Sequence, residues 1–314
     1  METVYLKALM CIWGIFWNLL IVISIFNDSV LRKSSTFLLL SAHFIACAVD
    51  VGSRLVFDVP SEILNRPLFQ LSPNYTDFPT KLFHFTTYSG WFFQLYTLIV
   101  IAFSHIIAVY YSLFYAKITT KQTLSMILFL LLLSMFSVCY LWGNFPIIFD
   151  TAYWGWAEDR TQPWVQFFFY FNYVVQAIVF TCLFVADVMI IYKISSIKKS
   201  ALFSKERSVT VRPGTKKSIQ GDNQISAVNP SRPTQSRLTI STELKVSLNF
   251  IIVSLFLLTQ TLIYIVCPLY VTSISTFFLF IAPLFRGSKC LAYLVSGSAL
   301  RTAIKNLIFC RKQF

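Results

Sequence analysis

Apolar residues in this chain fall in long unbroken runs, at about 8–26, 36–57, 84–115, 123–148, 165–193, 245–268 and 273–297. A helix needs about 20 apolar residues to cross a bilayer. Barrel strands need about 10 alternating ones. Backbone polar groups in hydrocarbon must bond within their own segment, so each run predicts a helix. The pattern predicts an all-α membrane protein, a seven-transmembrane helix bundle forming a single domain over 1–314.

The polar stretches between the runs set the orientation. Arg32 and Lys33 follow the first run, and Lys117 and Lys121 follow the third. Eleven of the 26 Lys and Arg lie from Lys193 to Lys245, and Arg301, Lys305, Arg311 and Lys312 lie in the tail. The alternate loops carry acids instead: Asp58, Glu62, Asp77, Asp150, Glu158 and Asp159. Basic loops stay cytoplasmic, which predicts the amino terminus outside and the carboxyl terminus inside. Asn74-Tyr75-Thr76 is a glycosylation sequon in the expected outer loop. A second sequon, Asn27-Asp28-Ser29, falls on the inner side and weakens that agreement.

Residues 194–243 predict a disordered basic cytoplasmic loop, rich in Ser, Thr, Lys, Arg and Pro and too poor in apolar residues to fold alone. It suits both attraction to anionic membrane lipid and docking of a partner or kinase. The outer stretch Pro60 to Lys81 holds Pro60, Pro67, Pro73 and Pro79 and predicts irregular structure. A short amphipathic stretch, Ala299 to Phe309, predicts a helix after the seventh run. Cys310 beside it is a candidate for palmitoylation or a free thiol.

Composition agrees. Hydrophobic residues make up 56% and charged residues 12%, against about 25% charged in soluble domains. The net charge of +13 is gathered in loops, which argues against nucleic acid as a partner. None of the seven cysteines has metal-type spacing, so no metal or cofactor is expected. The first run lacks a small-residue cleavage site and predicts no cleaved signal peptide.

Charged residues at bilayer depth are costly and face the bundle. Asp50, Asp187, Arg286 and Lys289 stand out. Asp50 and Arg286 of the seventh run fall at nearly one depth and are expected to form a buried pair; Arg54, at i+4 from Asp50, is the alternative partner on its own helix. Asp187 either meets Lys289 or lies near cytoplasmic water. His43 and His84 have no ligand-spaced partners and are expected to be packing residues.

Two segments then suggest a family. Ser104-His105-Ile106-Ile107-Ala108-Val109-Tyr110-Tyr111-Ser112-Leu113-Phe114-Tyr115 resembles the D-R-Y-x-A-V-x-x-P-L-x-Y pattern of rhodopsin-like receptors, matching at Ala108, Val109, Leu113 and Tyr115. Lys289-Cys290-Leu291-Ala292-Tyr293, followed by Arg301, is similar to N-P-x-x-Y and the Arg beyond it, with Tyr293 and Arg301 matching. Asn18 in Trp17-Asn18-Leu19-Leu20-Ile21-Val22 looks like the family's first-helix asparagine.

Ser104 and His105 replace the family's Asp and Arg. The loop from Asp150 to Trp164 has no Cys, so the usual disulfide is lacking. The position of the family's sodium-binding acid falls near Ile45, so that site is expected to be lost. The chain most resembles nematode-type serpentine chemoreceptors of the seven-transmembrane rhodopsin-like G-protein-coupled receptor superfamily, near serpentine receptor classes x or v.

The resemblance implies coupling-motif positions at Ser104, His105, Tyr115, Tyr293 and Arg301, and an intramembrane polar network of Asn18, Asp50, Asp187, Arg286 and Lys289. It implies a chemosensory receptor in the plasma membrane of sensory cells. Such a receptor binds a small-molecule ligand between the outer halves of the helices and engages a heterotrimeric G protein at the cytoplasmic face. Aromatic residues in the ligand region are Tyr88, Trp91, Phe92, Tyr96, Phe168, Tyr170, Tyr173, Tyr264 and Tyr270. The alternative is a transporter or channel subunit, against which stand the few Gly and Pro in the runs. No hydrolase, zinc-protease or phosphate-loop motif is present, so the chain is not expected to be an enzyme.

Overall fold

The structure is a computed structural model. It describes residues 2–64, 66, 68, 78–139, 147–150, 155–158, 163–210, 255, 259 and 298–309. The expected sixth and seventh helices, 245–268 and 273–297, lie almost wholly outside the described residues. The helices described are α1 (Glu2–Asn27), α2 (Ser35–Leu64), α3 (Phe78–Tyr110), α4 (Thr120–Val138), α5 (Pro163–Thr210) and α6 (Ser298–Ile308). Among the described residues, the first five are long and apolar enough to cross a membrane. The protein is an all-α, multi-pass integral membrane protein. "Upper" below means the end holding Lys7 and Leu64; "lower" means the end holding Asn27 and Ser35.

α1 packs on α2, α2 on α3, and α3 on both α4 and α5. α3 therefore sits inside, with Phe92, Leu98, Ile101 and Ala102 fully buried or nearly so. Helices in lipid gain from close packing rather than from leaving water, which favours small residues at contacts. Ala42 and Ala46 of α2 meet Phe93 of α3 and Leu130 of α4. Gly90 brings α3 close to α2: a Cβ there would lie 3.8 Å from the Ala46 carbonyl oxygen. The outward faces are apolar too, with Leu9, Ile12, Phe16, Leu128, Phe129 and Phe136 exposed, as a lipid-facing surface requires.

Several boundaries differ from the sequence pattern. α1 starts six residues early and α2 runs past Asp58 and Pro60 to Leu64. The residues that looked like loop acids are neutralised by a lysine of α1, so the helix continues. α3 covers 78–110 rather than 84–115. The chain breaks at Tyr111 and resumes as one helical turn, Ser112–Tyr115.

α4 starts at a capping box. The Thr119 hydroxyl accepts from the Gln122 N–H at 3.3 Å, and the Gln122 side chain accepts from the Thr119 N–H at 2.9 Å. α4 ends at Val138, ten residues short of expectation. Ile147–Asp150, its first two residues expected to end the fourth helix, is instead strand β1, antiparallel to β2 (Gly155–Glu158) with Ile147 opposite Glu158. β2 touches α2.

α5 continues to Thr210, well beyond Lys193. At 1.5 Å per residue its 48 residues span about 72 Å, more than twice the roughly 30 Å hydrocarbon core. The expected loop at 194–243 thus opens with helix; its remainder lies outside the described residues. The expected amphipathic helix is α6. It packs Leu300, Ala303 and Ile304 into the same core as Ile21, Val22 and Ile25 of α1.

Candidate functional site

Polar groups inside the bundle gather at the two ends of α2. Asp50, Arg54, Asp58 and Glu62 recur every four residues, so they form one stripe along the upper half of the helix. Arg54 Nε donates to Asp50 Oδ1 at 3.2 Å, and its Nη1 lies 3.5 Å from Asp58 Oδ2. Lys7 of α1 completes the stripe, bonding Glu62 and standing 3.7 Å from Asp58 Oδ2. Lys7, Asp50, Asp58 and Glu62 are all buried. From Asp50 to Glu62 the stripe climbs about 18 Å. Isolated ions at this depth would be costly; alternating signs offset one another.

Of the expected network, Asn18, Asp50 and Asp187 lie among the described residues. Asp50 pairs with Arg54 on its own helix, one of the two partners the sequence offered. Arg286 and Lys289 lie outside the described residues. Asn18 is fully buried, and its side-chain amide donates to the Gly14 carbonyl at 2.7 Å. Its Oδ1 has no partner. Asp187 is half-buried on α5.

Sequence reasoning missed Lys7 and placed Asp58 and Glu62 in a loop. A signal existed in the four-residue recurrence of acid, base, acid, acid, which no solvated loop needs. With one base against three acids, the stripe also lacked a partner that Lys7 supplies.

At the lower end the joining groups are hydroxyls. Tyr115, on the turn after α3, points back so that its hydroxyl lies 2.5 Å from Thr36 Oγ1 and 3.3 Å from the Thr36 N–H. Thr36 Oγ1 is also 3.3 Å from Ser104 Oγ. Beside it, the Thr123 hydroxyl of α4 donates to Ser35 Oγ at 2.9 Å. Two expected coupling positions, Ser104 and Tyr115, are thus brought together through Thr36, which the sequence reading did not single out. His105 is fully buried on the next position of α3. Arg301 is exposed on α6. Tyr293 lies outside the described residues, as do Asn74 and Cys310.

Between the two ends, α3 and α5 meet through aromatic rings. Phe92 packs against Phe168 and Phe171 with centroids 5.8 and 5.5 Å apart, and Tyr88 meets Phe168 edge-on at 5.1 Å. Trp91 Nε1 donates to Asn172 Oδ1 at 3.0 Å, and the Tyr96 hydroxyl lies 2.8 Å from Ser137 Oγ of α4. Of the expected ligand-region aromatics, Phe92 and Phe168 are core, Tyr170 is exposed, and Tyr88, Trp91, Tyr96 and Tyr173 are half-buried. Tyr264 and Tyr270 lie outside the described residues. Lower down, the Tyr110 hydroxyl donates to the Met189 carbonyl at 2.9 Å and Lys193 Nζ sits 5.3 Å from the Tyr110 ring centroid. Among the described residues no group of His, Cys, Asp and Glu is arranged to hold a metal ion.

The family model for "Serpentine type 7TM GPCR chemoreceptor Srx" matches residues 9–220, more than half of the chain. That span takes in α2 to α5 whole, most of α1, and the polar clusters at both ends of α2 apart from Lys7. No curated protein matches the chain significantly.

Proposed function

The chain belongs to the serpentine type 7TM GPCR chemoreceptor Srx family, and from that premise we propose that it is a chemosensory receptor of the plasma membrane, coupled to a heterotrimeric G protein. Its upper end faces outward and takes a small-molecule ligand between the helices; its lower end faces the cytoplasm. The observation that carries this reading is the family match over α1 to α5. The position of the basic segments supports the orientation: Arg32 and Lys33, Lys117 and Lys121, and Lys193 all fall at the lower end.

The lower hydroxyl chain supports the coupling role. Thr36, Ser104 and Tyr115 join three separate elements through neutral hydrogen bonds of about 1 kcal/mol each. Contacts of that size exchange readily, which a two-state cytoplasmic face requires. His105, where the rhodopsin-like pattern has arginine, is buried, so the coupling surface here does not use a guanidinium at that position. Within the bundle we propose that Arg286 approaches Asp50 from the seventh helix. Reversing both charges should restore surface expression lost on reversing Arg286 alone; failure of that rescue removes the pair.

Proximity labelling from the segment after α5, in native membranes with and without guanine-nucleotide depletion, tests the coupling. Enrichment of a G-protein α subunit on depletion is expected. Its absence from a chain that reaches the cell surface, beside a responding control receptor, would overturn coupling.

A further inference from the structure

The charged stripe leaves one atom unserved. Both cations that approach Asp58 use the same oxygen, Oδ2, with Lys7 Nζ at 3.7 Å and Arg54 Nη1 at 3.5 Å. Among the described residues, Asp58 Oδ1 has no hydrogen-bond partner, and the residue is only 5% exposed. A buried acceptor left without a donor is costly. Lys7 meanwhile bonds Glu62, one turn higher on α2. Its ammonium therefore has two carboxylate seats one helical turn apart, of which it fills the upper and leaves the lower under-served.

The resident group shows what chemistry the upper seat takes: a primary ammonium on an alkyl stem. Glu62 is also the rung nearest the end of α2, two residues from Leu64, beside the exposed Ile63 and Leu64.

We infer that Glu62 is the binding site for the alkylammonium group of a small molecule, and that binding sends Lys7 down to Asp58. The incoming ammonium donates to the Glu62 carboxylate. Lys7, already 3.7 Å from Asp58 Oδ2, shifts off Glu62 and donates to Asp58 Oδ1. Asp58 Oδ1, which lacked a donor, then has one. The exchange trades one α1–α2 contact for another, so the ligand favours one helix arrangement over the other. This names a ligand class for the receptor proposed above and rests on that reading for its signalling consequence alone.

The full chain in neutral phosphatidylcholine nanodiscs would be titrated with n-butylammonium and, separately, with n-butanol, following the thermal unfolding midpoint. A saturable rise with the ammonium and none with the alcohol is expected. Glu62→Gln should abolish the rise. Asp58→Asn, which weakens the seat Lys7 moves to, should lower the apparent affinity by about tenfold, within the usual range of coupling between sites. The inference is overturned by no saturable rise in the unmodified chain, by an equal rise with butanol, or by a rise that survives Glu62→Gln. The first two outcomes need no variant to fold. A butylammonium response without α-subunit enrichment would leave the site and remove the coupling; enrichment without the response would do the reverse.

Discussion

At its upper end α2 is joined to α1 by Lys7, Asp58 and Glu62; at its lower end it is joined to α3 and α4 by Thr36, Ser35, Ser104, Tyr115 and Thr123. Both joints are polar contacts in an apolar bundle, yet their energetics differ. Buried ions have large opposing terms, desolvation against attraction, so removing one partner leaves an uncompensated charge. Hydroxyl pairs carry no net charge, and losing one bond costs little more than that bond. The upper joint thus resists separation, while the lower one can be exchanged bond by bond. Under the function proposed above, this division puts the strong coupling where binding energy enters.

The sharpest way to break the comparison is Lys7→Met. It strands Glu62 and leaves Asp58 with Arg54 alone, and should destabilise the chain by about 3–5 kcal/mol, read as thermal or denaturant unfolding in micelles. A loss under about 1 kcal/mol would mean the upper ions are already solvated, and the contrast would fail. Next in size is the double variant Lys7→Met with Glu62→Gln. Removing both charges should recover about 1–3 kcal/mol relative to Lys7→Met alone, the range of coupling between contacting residues. No recovery would show that Lys7 acts through packing of its stem.

At the lower joint Tyr115→Phe should cost only about 1 kcal/mol while keeping the ring. Combined with Thr36→Val, its cost should be less than additive, because both remove the same bond. Additive losses would place the Tyr115 hydroxyl elsewhere. Smallest of all, Ser35→Ala removes the acceptor of Thr123, which keeps a second acceptor in the Thr119 carbonyl at 3.2 Å. It should cost about 0.5 kcal/mol. A loss as large as that from Lys7→Met would erase the distinction between the two ends.

The sequence by itself determined the apolar runs, the helical state of the first five over most of their length, and the basic loops, because a bilayer admits few backbone solutions and each is written in local hydropathy. It also placed α6, whose apolar face follows from helical spacing, and it carried the i+4 pairing of Asp50 with Arg54. Only the tertiary structure decided where α1 and α2 end. Lys7 lies fifty-one residues before Asp58, and hydropathy scores each as the polar edge of a run. Their mutual neutralisation, which lets both helices continue, is a contact between helices and leaves no local trace. The same holds for Thr36. A threonine at the start of a helix is ordinary until Tyr115 folds back from the break at Tyr111 to meet it. Strand β1 was hidden for a related reason: Ile147–Asp150 is apolar enough to prolong α4, and pairing with Gly155–Glu158 decides between helix and strand.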